Sequence, residues 1–239
     1  MKLNDVADYL LNGRVIDLSL KVSPGNTVAL FGGSNRRYDI KQFLYEPVKP
    51  WSGPGEIMHF VDMESHISTH IECPSHFLPI RHNRSGLDVS EVPLEKFFGM
   101  GVFVNCKDLS PRTPIDEKVL GQFPIQKDDI VLIGNGKHLG AKGEERSHMT
   151  KEGVEYLLKK KIKLIAFDDT IIPEDARVIK NVETMFTHDI MLSNGIPLIE
   201  RLANLEKLTK PRFLFFCFPA RMGGLDSFPV RAVAIEGKE

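Results

Sequence analysis

Cysteine is scarce in this chain, with three among 239 residues. Cys73, Cys106 and Cys217 are widely separated and odd in number, which argues against a disulfide-framed fold and fits a reduced, cytoplasmic setting. Long apolar runs are missing too, and none approaches the ~20 residues a membrane-spanning helix needs. The opening stretch MKLNDVADYLLNGRVIDL carries acids and no uninterrupted apolar segment, which argues against a secretory signal. There is no excess of either charge. The 31 basic and 32 acidic residues leave a net charge of −1, so the chain lacks the electrostatic footprint of a nucleic-acid or anionic-membrane binder. Repeats and linker-like stretches are absent as well. With 42% hydrophobic residues, the composition supports one globular domain over residues 1–239 with a substantial core.

What is present reads as mixed α/β with more strands than helices. Early strands are expected near Val15–Val22 and Thr27–Leu30, broken by Ser23-Pro24-Gly25. The polar, aromatic and proline-containing stretch from Ser34 to Gly55, with Trp51, reads as an irregular excursion over a pocket or a surface loop. Gly101–Cys106, Ile130–Ile133 and Ile162–Phe167 have the apolar density of buried strands. Thr150 is placed to cap a helix over Lys151–Lys160, whose lysine-rich end suits a helix C-terminus. Arg212–Phe218 and Val230–Ile235 close the chain as two more strands around a Gly223-Gly224 turn.

The most informative segment is His66-Ile-Ser-Thr-His70-Ile-Glu72-Cys-Pro-Ser-His76. Three imidazoles and a carboxylate fall within eleven residues, and these are ligand types that borderline metals such as zinc accept. His66 and His70 share a face over one helical turn, whereas His70 and Glu72 point the same way only in an extended chain. Pro74 pushes Cys73 away from helical geometry. A turn followed by an extended run therefore brings His66, His70 and Glu72 towards one point, with His76 further along. Without a cation or hydrogen bonds, such a cluster is strained by repulsion.

The string HISTHIECPSHF resembles the His-x-Gly-Thr-His-x-Asp-x-Pro-x-His signature of the cyclase-like metal-dependent hydrolases, which include bacterial kynurenine formamidase and isatin hydrolase. Val15-Ile-Asp-Leu-Ser19 resembles that family's opening strand. His188-Asp-Ile-Met-Leu192 and Ile199-Glu200-Arg-Leu-Ala-Asn204-Leu205 resemble its second metal-binding region, and Phe228-Pro-Val-Arg231-Ala-Val-Ala234 its closing signature. The resemblance implies an α/β fold of the cyclase-like β/β/α type, with a barrel-like central mixed sheet and flanking helices. It implies metal ligation by His66, His70, Glu72, His188 and Glu200, holding one or two divalent ions, zinc or manganese. It casts His76 as general acid/base, taking a proton from metal-activated water and passing it to a departing nitrogen. The implied activity is hydrolysis of an amide-like carbon–nitrogen bond in a small molecule, as an arylformamidase or cyclic amidase. A lyase or cyclase of the same family, or a non-catalytic binder of metal or small molecules, are the alternatives. A homo-oligomer, dimer or tetramer, is also implied.

Other features carry less. Cys73 reads as a small filler rather than a nucleophile. Gly134-Asn-Gly-Lys-His138 lacks the Walker spacing and is not a phosphate loop. Asp168 and Asp169, at a strand end, are placed to orient a ligand histidine, and Arg231 to pair with a carboxylate. Two departures from the signature stand out. Ser68 replaces glycine, which a turn tolerates if φ stays negative, and Glu72 replaces aspartate, which moves the carboxylate outward and bears on metal number and identity.

Overall fold

The computed structural model describes residues 3–23, 28–29, 35–36, 38–45, 56–136, 146–175 and 179–237. In chain order the strands are β1 (Arg14–Asp17), β2 (Val28–Ala29), β3 (Asn35–Arg36), β4 (Tyr38–Tyr45), β5 (Glu56–Met63), β6 (His70–Glu72), β7 (Phe98–Asn105) and β8 (Pro114–Ile115). They continue with β9 (Ile130–Gly134), β10 (Ser147–Met149), β11 (Leu164–Asp168), β12 (Ile171–Ile172), β13 (Leu198–Leu202), β14 (Arg212–Phe216), β15 (Ser227–Pro229) and β16 (Val233–Glu236). The helices are α1 (Leu3–Asn12), α2 (Leu78–His82), α3 (Glu117–Leu120), α4 (Lys151–Lys160) and α5 (Phe186–Ser193). None of them is long and apolar enough to cross a membrane.

Nine strands form one curled mixed sheet in the order β1-β16-β14-β7-β9-β11-β13-β6-β15. Its centre, β7-β9-β11-β13, is parallel, and the flanking pairs are antiparallel. Central strands buried on both faces need continuous apolar runs rather than alternation, and Ile130-Val-Leu-Ile133 is buried throughout. Ile130, Leu132, Leu164 and Ala166 line one core with Ile71, Ile199 and Phe213. Val131, Ile133, Ile165 and Phe167 line the other, which includes Leu157 of α4 and Met191 and Leu192 of α5. Helix α4 covers the expected span. Thr150 Oγ1 accepts from Gly153 N at 3.1 Å, and Lys161 leaves the helix in the left-handed region at φ 58°.

On β13 the register with β11 slips by one residue. Ala166 pairs with Ile199 and Asp168 with Leu202, so Glu200 and Arg201 oppose Phe167 alone. Arg201 takes φ 65° at this bulge. Ile199 and Leu202, three apart, consequently enter the same core, which unbroken alternation forbids.

Two readings of the strands need correction, and helices α1 and α5 were not anticipated. The stretch expected to be irregular contains β4, an eight-residue strand paired in full with β5; its Tyr, Ile and Phe content is strand-like. Trp51 lies outside the described residues. The first strand stops at Asp17, because Asp17 Oδ1 accepts from Ser19 N at 3.1 Å and turns the chain. Helices α1 and α5 had no capping signal to announce them, and Met185 before α5 offers no side-chain cap.

Candidate metal centre

The histidine-rich segment is held from three sides. Residues 65–69 form a turn that leads into β6, between β13 and β15, with His70 opposite Glu200 and Pro229. Thr69 locks the junction: its Oγ1 accepts from Leu20 N at 2.8 Å and donates to the Arg201 carbonyl, while its carbonyl accepts from Val230 N at 2.9 Å. Cys73 is extended at φ −107°, and Pro74 opens a short 3-10 turn that ends at His76. Ser68 departs from expectation. It sits at φ 61°, in the left-handed region, where its hydroxyl donates to the Leu20 carbonyl and its own carbonyl faces His70 Nδ1 at 3.0 Å. That contact turns His70 Nε2 towards the centre.

All five ligand-type residues predicted from sequence, and His76, converge there. Glu72 Oε1 lies 2.8 Å from His66 Nδ1 and 3.4 Å from His70 Nε2. Its Oε2 lies 3.2 Å from His188 Nε2 and 3.8 Å from His76 Nε2. Glu200, opposite on β13, comes within 3.9 Å of His70 Nε2 and 4.0 Å of His188 Nε2. Two groups result, His66–Glu72–His76 and His70–Glu72–Glu200, each with donor atoms within 4.8 Å of one another. Glu72 is common to both.

The donor set fits a divalent cation. Glu72 is buried, and its Oε2 accepts no hydrogen bond, since the nearby His188 Nε2 is close without being aligned. An orphaned buried carboxylate oxygen is costly unless a cation meets it. His66 Nδ1 and His70 Nε2 also face each other at 3.3 Å, a disposition suited to an ion between them. The groups polarise one another. Burial opposes ionisation of Glu72, but the charge of His76 and the close imidazoles of His188, His66 and His70 outweigh it and hold its pKa well below the usual carboxylate range. Burial likewise opposes charge on His188, and the hydrogen bond to Glu174 together with the nearby Glu72 carboxylate raises its pKa well above the ordinary imidazole value.

Two carboxylates at the centre were not read from the sequence. Asp226 Oδ2 lies 2.6 Å from His76 Nδ1 and 3.5 Å from His66 Nε2; its hydrogen bond with His76 pushes its pKa far down. Gly224 N donates to Asp88 Oδ2 at 2.6 Å and Cys73 N to the Asp226 carbonyl at 2.9 Å, fixing the loop that carries it. Glu174 Oε1 lies 2.9 Å from His188 Nδ1. The Asp168-Asp169 pair was the expected partner of a ligand histidine, but Asp168 instead accepts from Gly136 N, Asn135 N and Thr170 N at 2.8–3.1 Å. Asp169 pairs with Arg201 at 3.4 Å. Cys73 is buried, and burial with the neighbouring Glu72 charge raises its thiol to about 12, which keeps it protonated and inert. Arg231 pairs with Asp17 at 2.7 Å. His138 lies outside the described residues.

Comparison with known proteins follows this geometry. The Cyclase family matches residues 16–172. Kynurenine formamidase of Bacillus cereus is 25% identical over 215 residues, covering 82% of this chain and 95% of that protein. Isatin hydrolase A from Labrenzia aggregata superposes with a TM-score of 0.78 at 20% identity, covering 99% of each chain. A structure described as a potential metal-dependent hydrolase with cyclase activity gives 0.70 at 21% identity, covering 95% of this chain and 99% of that one.

Proposed function

The chain belongs to the Cyclase family, and from that premise we propose that it is a metal-dependent hydrolase of an amide-like carbon–nitrogen bond in a small molecule. The observation that carries this reading is Glu72, a buried carboxylate shared by two donor groups and left with one unpartnered oxygen, beside the His76–Asp226 pair. The kynurenine formamidase and isatin hydrolase likenesses support the same chemistry. His66, His70, Glu72, His188 and Glu200 would hold one or two ions, zinc or manganese. When bound, such an ion supplies Lewis acidity that acidifies water and polarises a carbonyl.

The remaining work falls to this chain's own groups. His76 presents Nε2 to the centre while Asp226 holds Nδ1. Fixing the ring from behind leaves one nitrogen to take a proton from water and return it to the departing nitrogen. Burial of His70, Glu72 and His188 keeps bulk water from screening the donor set. The test is turnover of N-formylkynurenine, isatin and simple aryl esters by protein loaded with zinc or manganese, against chelator-treated protein. Metal-dependent release of an amine or ring-opened acid is the expected result. Metal binding accompanied by elimination or ring closure instead would replace hydrolase with lyase or cyclase.

A further inference from the structure

We propose that Glu174 is a positioning residue that sets the His188 ring and thereby the affinity of the centre for its ion. This rests on the reading that His188 faces a metal. Glu174 is buried, and it stands on the segment between β12 and α5, on no strand or helix of its own. One oxygen, Oε1, meets three donors: Thr187 N at 2.9 Å, His188 N at 3.0 Å and His188 Nδ1 at 2.9 Å. Oε2 accepts from Thr187 N at 3.1 Å. The Thr187 hydroxyl also donates to the Pro173 carbonyl, so residues 173–174 and 187–188 are joined along both main and side chains.

Two physical tasks meet in this carboxylate. Thr187 and His188 are the second and third residues of α5, whose amides have no partner within the helix, and Met185 supplies no side-chain cap. Glu174 serves these amides from outside the helix, and a negative charge at that end also suits the helix dipole. The same oxygen accepts the Nδ1 proton, which leaves Nε2 as the nitrogen that faces the centre and fixes the ring plane. Carboxylate partners of this kind raise the basicity of a ligating imidazole, and losing one typically costs ~10–100-fold in metal affinity. Because cap and ring share an atom, α5 cannot shift without turning His188. The ring of His70 is held differently, its Nδ1 meeting the neutral Ser68 carbonyl at 3.0 Å.

The experiment compares wild type, Glu174→Ala and Glu174→Gln. Zinc affinity is measured by competition with a chromophoric chelator, and the His188 Nδ1 proton is followed by NMR in the zinc-loaded protein. Glu174→Ala is expected to raise the zinc Kd ~10–100-fold and to remove the slowly exchanging, downfield Nδ1 resonance. Glu174→Gln retains a neutral acceptor that can still cap α5, and it should recover most of the affinity with the resonance shifted upfield. Should Glu174→Ala fail to fold, the Gln variant decides: an unshifted resonance with wild-type Kd overturns the proposal. A folded Glu174→Ala protein with unchanged Kd overturns it too. If wild type itself binds no divalent ion, the metal reading fails first and takes this inference with it, an outcome distinct from wild type and Ala variant binding equally well.

Discussion

His76 Nδ1 and Asp226 Oδ2 lie 2.6 Å apart although 150 residues separate them in sequence. The pair joins the short turn after β6 to the loop before β15, and it points the other imidazole nitrogen at Glu72. His76→Ala should keep its metal and fold while losing ~10²–10⁴-fold in kcat. Asp226→Asn should lose less, on the order of 10²-fold, because the imidazole remains but its orientation is no longer fixed. Steady-state kinetics beside elemental analysis checks both; loss of metal from His76→Ala would make it a ligand.

Glu72 offers the sharpest test of the donor set. Glu72→Gln preserves shape and removes the charge shared by the two groups, so metal content should fall well below that of wild type. Glu72→Asp draws the carboxylate back by roughly one bond length, which matters because metal–oxygen bonds of about 2.0–2.2 Å allow little slack. It should alter the ratio of bound ions or the preference between zinc and manganese, read by titration with each metal. A Gln variant that binds as well as wild type would remove Glu72 from the ligands.

Ser68 tests the turn. A non-glycine residue in the left-handed region costs roughly 1–2 kcal/mol, and the hydroxyl's bond to Leu20 returns about 1 kcal/mol. Ser68→Gly should therefore change stability by less than about 1 kcal/mol. Ser68→Val loses that bond and adds a β-branched side chain at the same φ, and it should cost at least about 2 kcal/mol by urea denaturation.

Asp168 gives a pH signature of its own. Burial raises its pKa to about 6, against 3.8 ordinarily, despite hydrogen bonds from Thr170 and Gly136. The folded state therefore holds the proton more tightly than the unfolded chain. The stabilisation is complete below pH 3.8 and is lost as pH rises through about 6, with an upper bound of about 3 kcal/mol. The stability of wild type minus that of Asp168→Asn should fall over that interval and then level off. A difference that stays flat would show that the carboxyl does not titrate there.

Much of this was legible in sequence because the informative residues sit close together. The run from His66 to His76 carries its own geometry, since Pro74 and the i, i+2 spacing dictate a turn and then a strand. The buried strands at 130–134 and 164–168 were readable from apolar density alone. Asp226 and Glu174 were not, because each acts across a long sequence separation on loops without periodicity. Pro173-Glu174-Asp175 has the composition of any solvent-facing turn. Only the fold shows that this acid is buried against a histidine fourteen residues later. Ser68 was misjudged because sequence reports which residue is there but not which φ the surrounding hydrogen bonds impose.

The slipped register on β13 has a consequence for how this chain can vary. Point changes at Arg201 leave the count of residues between Ile199 and Leu202 intact, and so leave both side chains in the same core. Deleting that single position restores strict alternation, and either Glu200 is delivered to the centre or Leu202 to the interior, but not both. The strand thus carries a parity condition, in which its length matters more than the identity of the odd residue. Relatives that keep this centre should retain that position, filled by residues that accept its left-handed backbone.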